Sequence, residues 1–112
     1  MRESNVTREC LAYLRSVERV TLFRNHTGRI TMGSGMSVPV GIPSWGGGGD
    51  FIGWEVVGGQ AVFLSVEFKR DKGGKRSDKQ IKWADDVRRA GGRAVFLSCL
   101  DDCRREFPIA SH

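Results

Sequence analysis

The chain has 112 residues and a mass of 12.4 kDa, enough for one domain with its own core but too little for two. Its 18 Lys and Arg outnumber its 13 Asp and Glu, and its 39% hydrophobic share is typical of soluble globular proteins, which excludes a wholly disordered chain. No apolar run reaches the roughly 18 to 20 residues of a membrane span, and the first ten residues lack the apolar segment of a signal peptide. Three cysteines that cannot all pair with one another favour a reducing compartment. We therefore expect a cytoplasmic protein.

The first half of the chain begins with an amphipathic helix, predicted over residues 4 to about 19, where apolar residues recur every three or four positions. Two short strands are predicted at residues 20–23 and 29–32, with a turn signal at Thr27-Gly28. Residues 33–49 hold seven glycines and two prolines without a sustained period, which predicts a loop with no strand of its own. Compact domains keep long loops mainly where the loop has a function.

A β-hairpin is predicted next, with strands at residues 50–57 and 60–70 joined by a tight turn at Gly58-Gly59. Alternation along the second strand places Val62, Leu64, Val66 and Phe68 on one face. The opposite face then carries Phe63, Ser65, Glu67 and Lys69.

The last third of the chain predicts a helix, a strand and a short helix. Ser77 and Gln80 form a capping-box pattern that starts the first helix, and Gly91-Gly92 ends it. A buried strand follows at residues 94–99, and a closing helix runs from 100 to about 107. The fold class is therefore α/β in the order α-β-β-β-β-α-β-α. A strand-helix-strand crossover places its two strands parallel, so we expect a mixed sheet flanked by helices.

Positive charge is concentrated at residues 69–93, which hold ten Lys or Arg and four Asp, a net charge of +6, while the rest of the chain sums to −1. A basic loop and helix attract a phosphate backbone, because each neutralised phosphate releases counterions. A solvated helix face has the same composition, so charge alone leaves both interpretations open.

The strongest candidate for an active site is formed by Asp50, Glu67 and Lys69. The hairpin can bring Asp50 level with Glu67 and Lys69, which share one face of their strand. Two carboxylates suit Mg²⁺, which polarises a phosphodiester, and an ammonium group can hold the attacking water and stabilise developing charge. Metal proximity lowers carboxylate pKa values, so both acids should then be ionised at neutral pH. Taken singly, these residues also fit a charged strand end and a turn, and the D-x(n)-E-x-K spacing matches many proteins by chance.

A longer series of motifs adds context to this triplet. The motifs are Phe23-Arg24-Asn25, Gly28-Arg29, Gly49-Asp50-Phe51-Ile52-Gly53, Val66-Glu67-Phe68-Lys69, Gly74, Ser77-Asp78-Lys79-Gln80 and Val87-Arg88-Arg89-Ala90-Gly91-Gly92. In this order they resemble the VRR-NUC domain, the virus-type replication-repair nuclease branch of the PD-(D/E)XK superfamily, over almost the whole chain. The resemblance implies a restriction-endonuclease-like core and a metal-dependent DNA nuclease. Compact stand-alone members, typical of phages and prophages, are thought to act as homodimers on branched DNA such as Holliday junctions.

The resemblance also implies roles for individual residues. Asp50 and Glu67 match the metal-binding acids, which take Mg²⁺ or, in its place, Mn²⁺. Lys69 matches the catalytic lysine, and Gln80 matches the glutamine that opens the following helix. The family has a further metal-binding acid in the first helix; Glu3 is the better-placed match and Glu9 the competing one.

Candidate DNA contacts come from two regions. Arg24, Asn25 and Arg29 match polar positions of the family, and they either contact phosphate or cap the turn. In the basic stretch the candidates are Lys72, Lys75, Arg76 and Lys79.

The glycine run before Asp50 suggests that backbone passes close to the metal or a phosphate, where a Cβ atom would clash; a flexible loop that orders on DNA is the alternative. Trp45 is the best candidate for stacking on an unpaired base. Cys99, Cys103 and His112 lack the ligand number and spacing of a zinc site, which favours buried or incidental thiols. The GGKRS stretch lacks the glycine spacing of a phosphate loop, so we expect no nucleotide cofactor.

Overall fold

The computed structural model describes residues 5–43, 46–69 and 76–109. The described residues form three helices and six strands in the order α-β-β-β-β-β-α-β-α. The helices are α1 (Asn5–Ser16), α2 (Asp78–Arg89) and α3 (Leu100–Glu106), and the strands are β1 (Val20–Arg24), β2 (Gly28–Thr31), β3 (Ser37–Val40), β4 (Phe51–Val57), β5 (Gln60–Phe68) and β6 (Arg93–Leu97). Within the described residues, no helix is both long and apolar enough to cross a membrane.

Four of the strands form one mixed sheet in the order β1-β4-β5-β6. β4 pairs antiparallel with both of its neighbours, while β5 and β6 are parallel and are joined by α2. The predicted hairpin, the crossover and the mixed sheet are all confirmed, as is an α/β fold consistent with a restriction-endonuclease-like core.

The sheet separates two apolar clusters. The larger cluster packs α1 and α3 against one face of the sheet and includes Leu14, Phe51, Leu64, Leu97 and Phe107. On the opposite face a smaller cluster packs α2 against β6. Cys10 and Cys103 are buried in the larger cluster as free thiols.

The prediction of a strandless loop at residues 33–49 is wrong, because β3 lies within it and pairs antiparallel with β2 as a separate two-stranded ladder. The strand escapes pattern recognition because it has only four residues and contains Pro39. A proline is compatible with this position because a two-stranded ladder leaves one side of each strand unpaired, so the missing N–H removes no essential bond.

Several predicted boundaries shift by a few residues. The first helix ends at Ser16 rather than near residue 19, because the Ser16 hydroxyl donates back to the Tyr13 carbonyl and the chain turns into β1. β6 ends at Leu97 rather than Cys99, since Cys99 is the N-cap of α3. β4 begins at Phe51, so Asp50 lies just outside the strand rather than within it.

Candidate active site at the ends of β4 and β5

The Asp50 carboxylate is held at the entrance to β4. In the β4–β5 ladder Phe51 pairs with Val66, so Asp50 lies beside Glu67 at the next position of the register. The Phe68 backbone N–H donates to Asp50 Oδ2 at 2.9 Å. This bond fixes one carboxylate oxygen, and among the described residues no hydrogen bond reaches the other.

Gln80 bridges Glu67 and Lys69. Its Nε2 donates to Glu67 Oε1 at 2.7 Å, and its Oε1 accepts from Lys69 Nζ at 2.8 Å. A primary amide suits this position because one end donates and the other accepts. The acid, the amide and the ammonium group are thereby held in one hydrogen-bonded row.

The capping box explains why Gln80 lies at this point. Ser77 is the N-cap of α2 and its hydroxyl accepts from the Gln80 N–H, while Gln80 Oε1 also accepts from the Ser77 N–H at 3.0 Å. The predicted capping box is thus confirmed. The same Oε1 accepts from Lys69, so the capping box that starts α2 also positions the Lys69 ammonium group.

The electrostatics of Glu67 fit a bound cation. Burial, and next the neighbouring Asp50 carboxylate, raise the pKa of Glu67 to about 7, although Lys69, the Asp50 backbone and Gln80 act in the opposite direction. The two adjacent carboxylates therefore repel each other. A divalent cation removes this conflict, because it neutralises both carboxylates at once.

The donor set is that of a hard cation rather than zinc. Within the described part of the chain, no group of three or more His, Cys, Asp or Glu side chains lies close enough together to hold a metal. Mg²⁺ commonly takes only one or two carboxylates and completes its shell with water and substrate phosphate. Asp50 and Glu67 fit this pattern.

The glycine run before Asp50 packs closely against α2 and β5. A Cβ at Gly47 would lie 2.6 Å from the Lys79 backbone, and one at Gly49 would lie 2.3 Å from Ser65 Oγ. The structure thus accounts for these glycines by packing against α2 and β5. This reason differs from the predicted close approach to metal or phosphate.

Asn25 ties the glycine-rich loop to β1. Its Nδ2 donates to the Ile42 carbonyl at 2.6 Å and to the Gly49 carbonyl at 3.0 Å, and its Oδ1 accepts from the Ile42 N–H. The Asn25 N–H also donates to the Asp50 carbonyl. These contacts hold the loop beside the end of β1, and the phosphate contact of Asn25 stays a prediction.

The arginines predicted near Asn25 are also engaged within the chain. Arg29 donates from Nε to Ser37 Oγ and from one terminal nitrogen to the Ser37 carbonyl, both at 2.9 Å, which links β2 to β3. The Arg24 guanidinium lies 4.9 Å from the centre of the Phe51 ring.

Two of the predicted basic contacts flank the site at the start of α2. Lys79 is exposed and lies against Gly47, and Arg76 precedes the N-cap, with its guanidinium 4.0 Å from the centre of the Phe96 ring.

The predicted residues Glu3, Trp45, Lys72 and Lys75 lie outside the described residues. Glu9 is exposed on α1 and belongs to no cluster of three possible ligands in the described chain.

Sequence reasoning missed Phe96, which lies beneath two cations. Lys69 Nζ is 5.9 Å and the Arg76 guanidinium is 4.0 Å from the centre of this ring. The contact arises because β5 and β6 pair with Glu67 opposite Phe96. A parallel register between distant strands leaves no local pattern in the sequence that could have revealed it.

Comparison with known proteins identifies a family. Residues 43–99, just over half of the chain, match the family model of the VRR-NUC domain. The matched segment contains Asp50, Glu67, Lys69 and Gln80. Searches of curated proteins and of solved structures found no match.

Proposed function

Because the chain belongs to the VRR-NUC domain family, the virus-type replication-repair nucleases, we propose that it is a Mg²⁺-dependent endonuclease that hydrolyses DNA phosphodiester bonds. The observation that carries this proposal is the hydrogen-bonded row of Glu67, Gln80 and Lys69 beside Asp50. It combines paired acids and a positioned ammonium group at the start of β4 and the end of β5, which is the chemistry that phosphodiester hydrolysis requires.

Asp50 and Glu67 are the residues that would hold the cation. When bound, Mg²⁺ polarises the phosphate and favours ionisation of a water molecule, and Mn²⁺ can supply the same chemistry. Asp50 Oδ1 accepts no hydrogen bond from the described side chains, and Gln80 donates to Oε1 of Glu67 rather than to Oε2. Asp50 Oδ1 and Glu67 Oε2 are therefore the proposed ligand atoms. Glu3, which precedes α1 in the sequence, is proposed as a third ligand.

Lys69 is proposed to act on the reacting groups directly. The water oxygen forms a bond to phosphorus as the bond to the leaving oxygen breaks; the attacking water releases a proton to solvent, and the leaving oxygen takes one up from solvent. Gln80 holds the Lys69 ammonium group beside the acids, so its charge can orient the water and stabilise the negative charge that develops on the phosphate. Gln80 acts through Lys69 and Glu67 and is therefore a positioning residue.

DNA contacts are proposed at the start of α2 and in the basic stretch of sequence before it. Lys79 and Arg76 flank the acids, and Lys72 and Lys75 precede Arg76 in the sequence. Further contacts are proposed at Arg24, Asn25 and Arg29, near the end of β1 and the start of β2. Their contribution to phosphate binding is expected to be sensitive to salt.

We further propose a homodimer acting on branched DNA such as a four-way junction. One small domain with one site cuts one strand at a time, and cutting two strands in a single encounter requires two sites. The uncovered side of β1 and β4 is a suitable interface: α2 packs on β5 and β6, which leaves Phe23, Trp54 and Val56 exposed. These three side chains are uncharged and apolar, so two copies can meet there without repulsion.

Cleavage of labelled DNA tests the proposal. Linear duplex, flap and four-way junction are incubated with the protein in Mg²⁺, in Mn²⁺ and in EDTA. We expect cutting in either metal, none in EDTA, and a loss of at least about 100-fold in Asp50→Asn and Lys69→Ala. The matched control is Lys82→Ala, which removes a lysine from the exposed side of α2. DNA binding without cutting in any metal would refute the enzyme and leave a DNA-binding module.

A further inference from the structure

A second basic surface lies outside the acid site, along the free edge of the sheet. β6 is the last strand of the sheet order, and a cleft of about 480 Å³ follows its edge between α2 and α3. Four arginines line this cleft: Arg76, Arg88, Arg93 and Arg105. Glu106 is the acidic residue among its lining residues.

The four arginines differ in how far their charge is neutralised. Arg93 pairs with Glu55 and Glu106, and Arg105 pairs with Asp102. Among the described residues, no carboxylate pairs with Arg76 or Arg88. Their positive charges remain available to a ligand.

Arg88 is anchored over the edge rather than directed into bulk solvent. One terminal nitrogen donates to the Ala94 carbonyl of β6 at 2.7 Å. This bond uses a single donor of a guanidinium that has five, so the rest of the fork can bind a second group. It also occupies a carbonyl of the edge strand, which makes addition of a peptide strand there less favourable than binding of an anion.

The cleft is continuous with the proposed catalytic site. Phe96 lines the cleft, and its ring lies beneath both Arg76 and the site residue Lys69. A chain of phosphates that passes Lys69 therefore meets Arg76 next and then Arg88. Arginine favours phosphate over other anions because its planar fork matches two phosphate oxygens.

We propose that this cleft binds the phosphodiester backbone of one DNA strand as it leaves the catalytic site. Arg76 and Arg88 make the phosphate contacts, and Arg105 borders the same path on α3. The inference rests on the proposed nuclease function, since it assigns the path of that enzyme's substrate. It singles out Arg88 within the basic stretch at residues 69–93 and adds Arg105, which lies outside that stretch.

Neighbouring arginines supply a matched test. Arg88→Gln/Arg105→Gln is compared with Arg89→Gln/Arg104→Gln, which removes the same two charges from α2 and α3. Arg89 and Arg104 are exposed, pair with Asp85 and Asp101, and do not line the cleft. Binding to a forked DNA with a single-stranded arm is measured by fluorescence anisotropy in EDTA, from low to high salt.

The salt dependence of binding gives the expected result. We expect the cleft variant to reduce the slope of log Kd against log salt by about 0.7 for each phosphate of the single-stranded arm that an arginine no longer neutralises. The control variant keeps the wild-type slope. Equal slopes in both variants would overturn the proposal. Arg88→Lys/Arg105→Lys keeps the charge and should retain most of the slope.

A test on the wild-type protein avoids any effect of the substitutions on folding. Methylphosphonate linkages, which are uncharged, replace the phosphates of the arm one at a time. We expect weaker binding at linkages next to the cleavage position; no effect at any linkage would overturn the proposal. Because both readouts are binding in EDTA, they are separate from the cleavage assay: absent cutting refutes the enzyme, whereas cutting with unchanged slopes refutes the strand path alone.

Discussion

The surroundings of Glu67 alter the protonation of this proposed metal ligand. Burial and the Asp50 carboxylate raise its pKa to about 7, so in the metal-free protein this acid is partly protonated at neutral pH. A cation needs the ionised form, and binding must therefore displace the proton. We expect Mg²⁺ affinity to rise by up to about tenfold per pH unit below pH 7 and to level off above it. Calorimetry at pH 6, 7 and 8 measures this; a constant affinity would exclude Glu67 as a ligand.

The same raised pKa predicts how stability depends on pH without metal. The folded state holds the Glu67 proton more tightly than the unfolded state, so this contribution is complete below about pH 4.5 and disappears as the pH rises through about 7. Glu67→Gln keeps an acceptor for Gln80 and removes the titration. We compare the free energy of unfolding of Glu67→Gln with that of wild type. Allowing for solvent access to this half-buried group, we expect the difference to shift in favour of the variant by about 1 to 2 kcal/mol from pH 5 to pH 8. Urea unfolding in EDTA at both pH values measures the difference, and an identical pH dependence of the two proteins would contradict it.

Gln80 combines a structural and a positioning role that two substitutions separate. Gln80→Glu still accepts from Lys69 and from the Ser77 N–H, but it no longer donates to Glu67 and places a third negative charge beside it. We expect a stable protein whose kcat falls about 10- to 100-fold and whose pH profile shifts upward. Gln80→Ala should lose activity and also about 1 kcal/mol of stability, because the capping box is broken. Steady-state cleavage and thermal unfolding distinguish the two. If Gln80→Glu keeps wild-type kcat and pH profile, the glutamine serves only as a cap.

At the scale of elements, the packing of Gly49 against β5 controls where Asp50 lies. A Cβ at Gly49 would be 2.3 Å from Ser65 Oγ and 2.9 Å from the Val66 carbonyl, and the latter belongs to a central strand that cannot move. We expect Gly49→Ala to cost about 1 to 3 kcal/mol of stability and to reduce cleavage more than it reduces DNA binding. Gly33→Ala is the control, since nothing lies within 4 Å of its Cβ. If the two variants unfold at the same temperature, Gly49 is not tightly packed.

Elements with a local signature were predictable from the sequence. The capping box predicted α2, the Gly58-Gly59 turn predicted the β4–β5 hairpin, and alternation along β5 placed Glu67 opposite the core face. Short elements without such a signature were not predictable: β3 has four residues and a proline. Contacts between distant elements were also hidden. Phe96 reaches the site through the β5–β6 register, and Arg88 reaches the edge of β6 through the packing of α2.

At the scale of the whole molecule, the helices cover the two faces of the sheet to different extents. α1 and α3 cover one face, whereas α2 covers only the β5 and β6 side of the other. The uncovered part shares its side of the sheet with Glu67, since register places Phe23 beside Ile52 and Ile52 beside Ser65, two positions from Glu67. A partner bound there would lie next to the proposed catalytic site.

The proposed homodimer can be tested at the centre of this uncovered face. Trp54 is 39% exposed and contacts Phe23, so Trp54→Glu places a charge amid apolar side chains that a second copy would bury. We expect the dimer to weaken by at least about 30-fold, equivalent to about 2 kcal/mol. Ile81→Glu, on an exposed residue of α2, is the control and should leave association unchanged. Sedimentation velocity over a range of concentrations measures both.

Because one subunit still holds a complete site, Trp54→Glu should retain nicking while losing paired cuts of a junction. A wild type that stays monomeric at every concentration would contradict the dimer, and dissociation in Ile81→Glu alone would move the interface to α2.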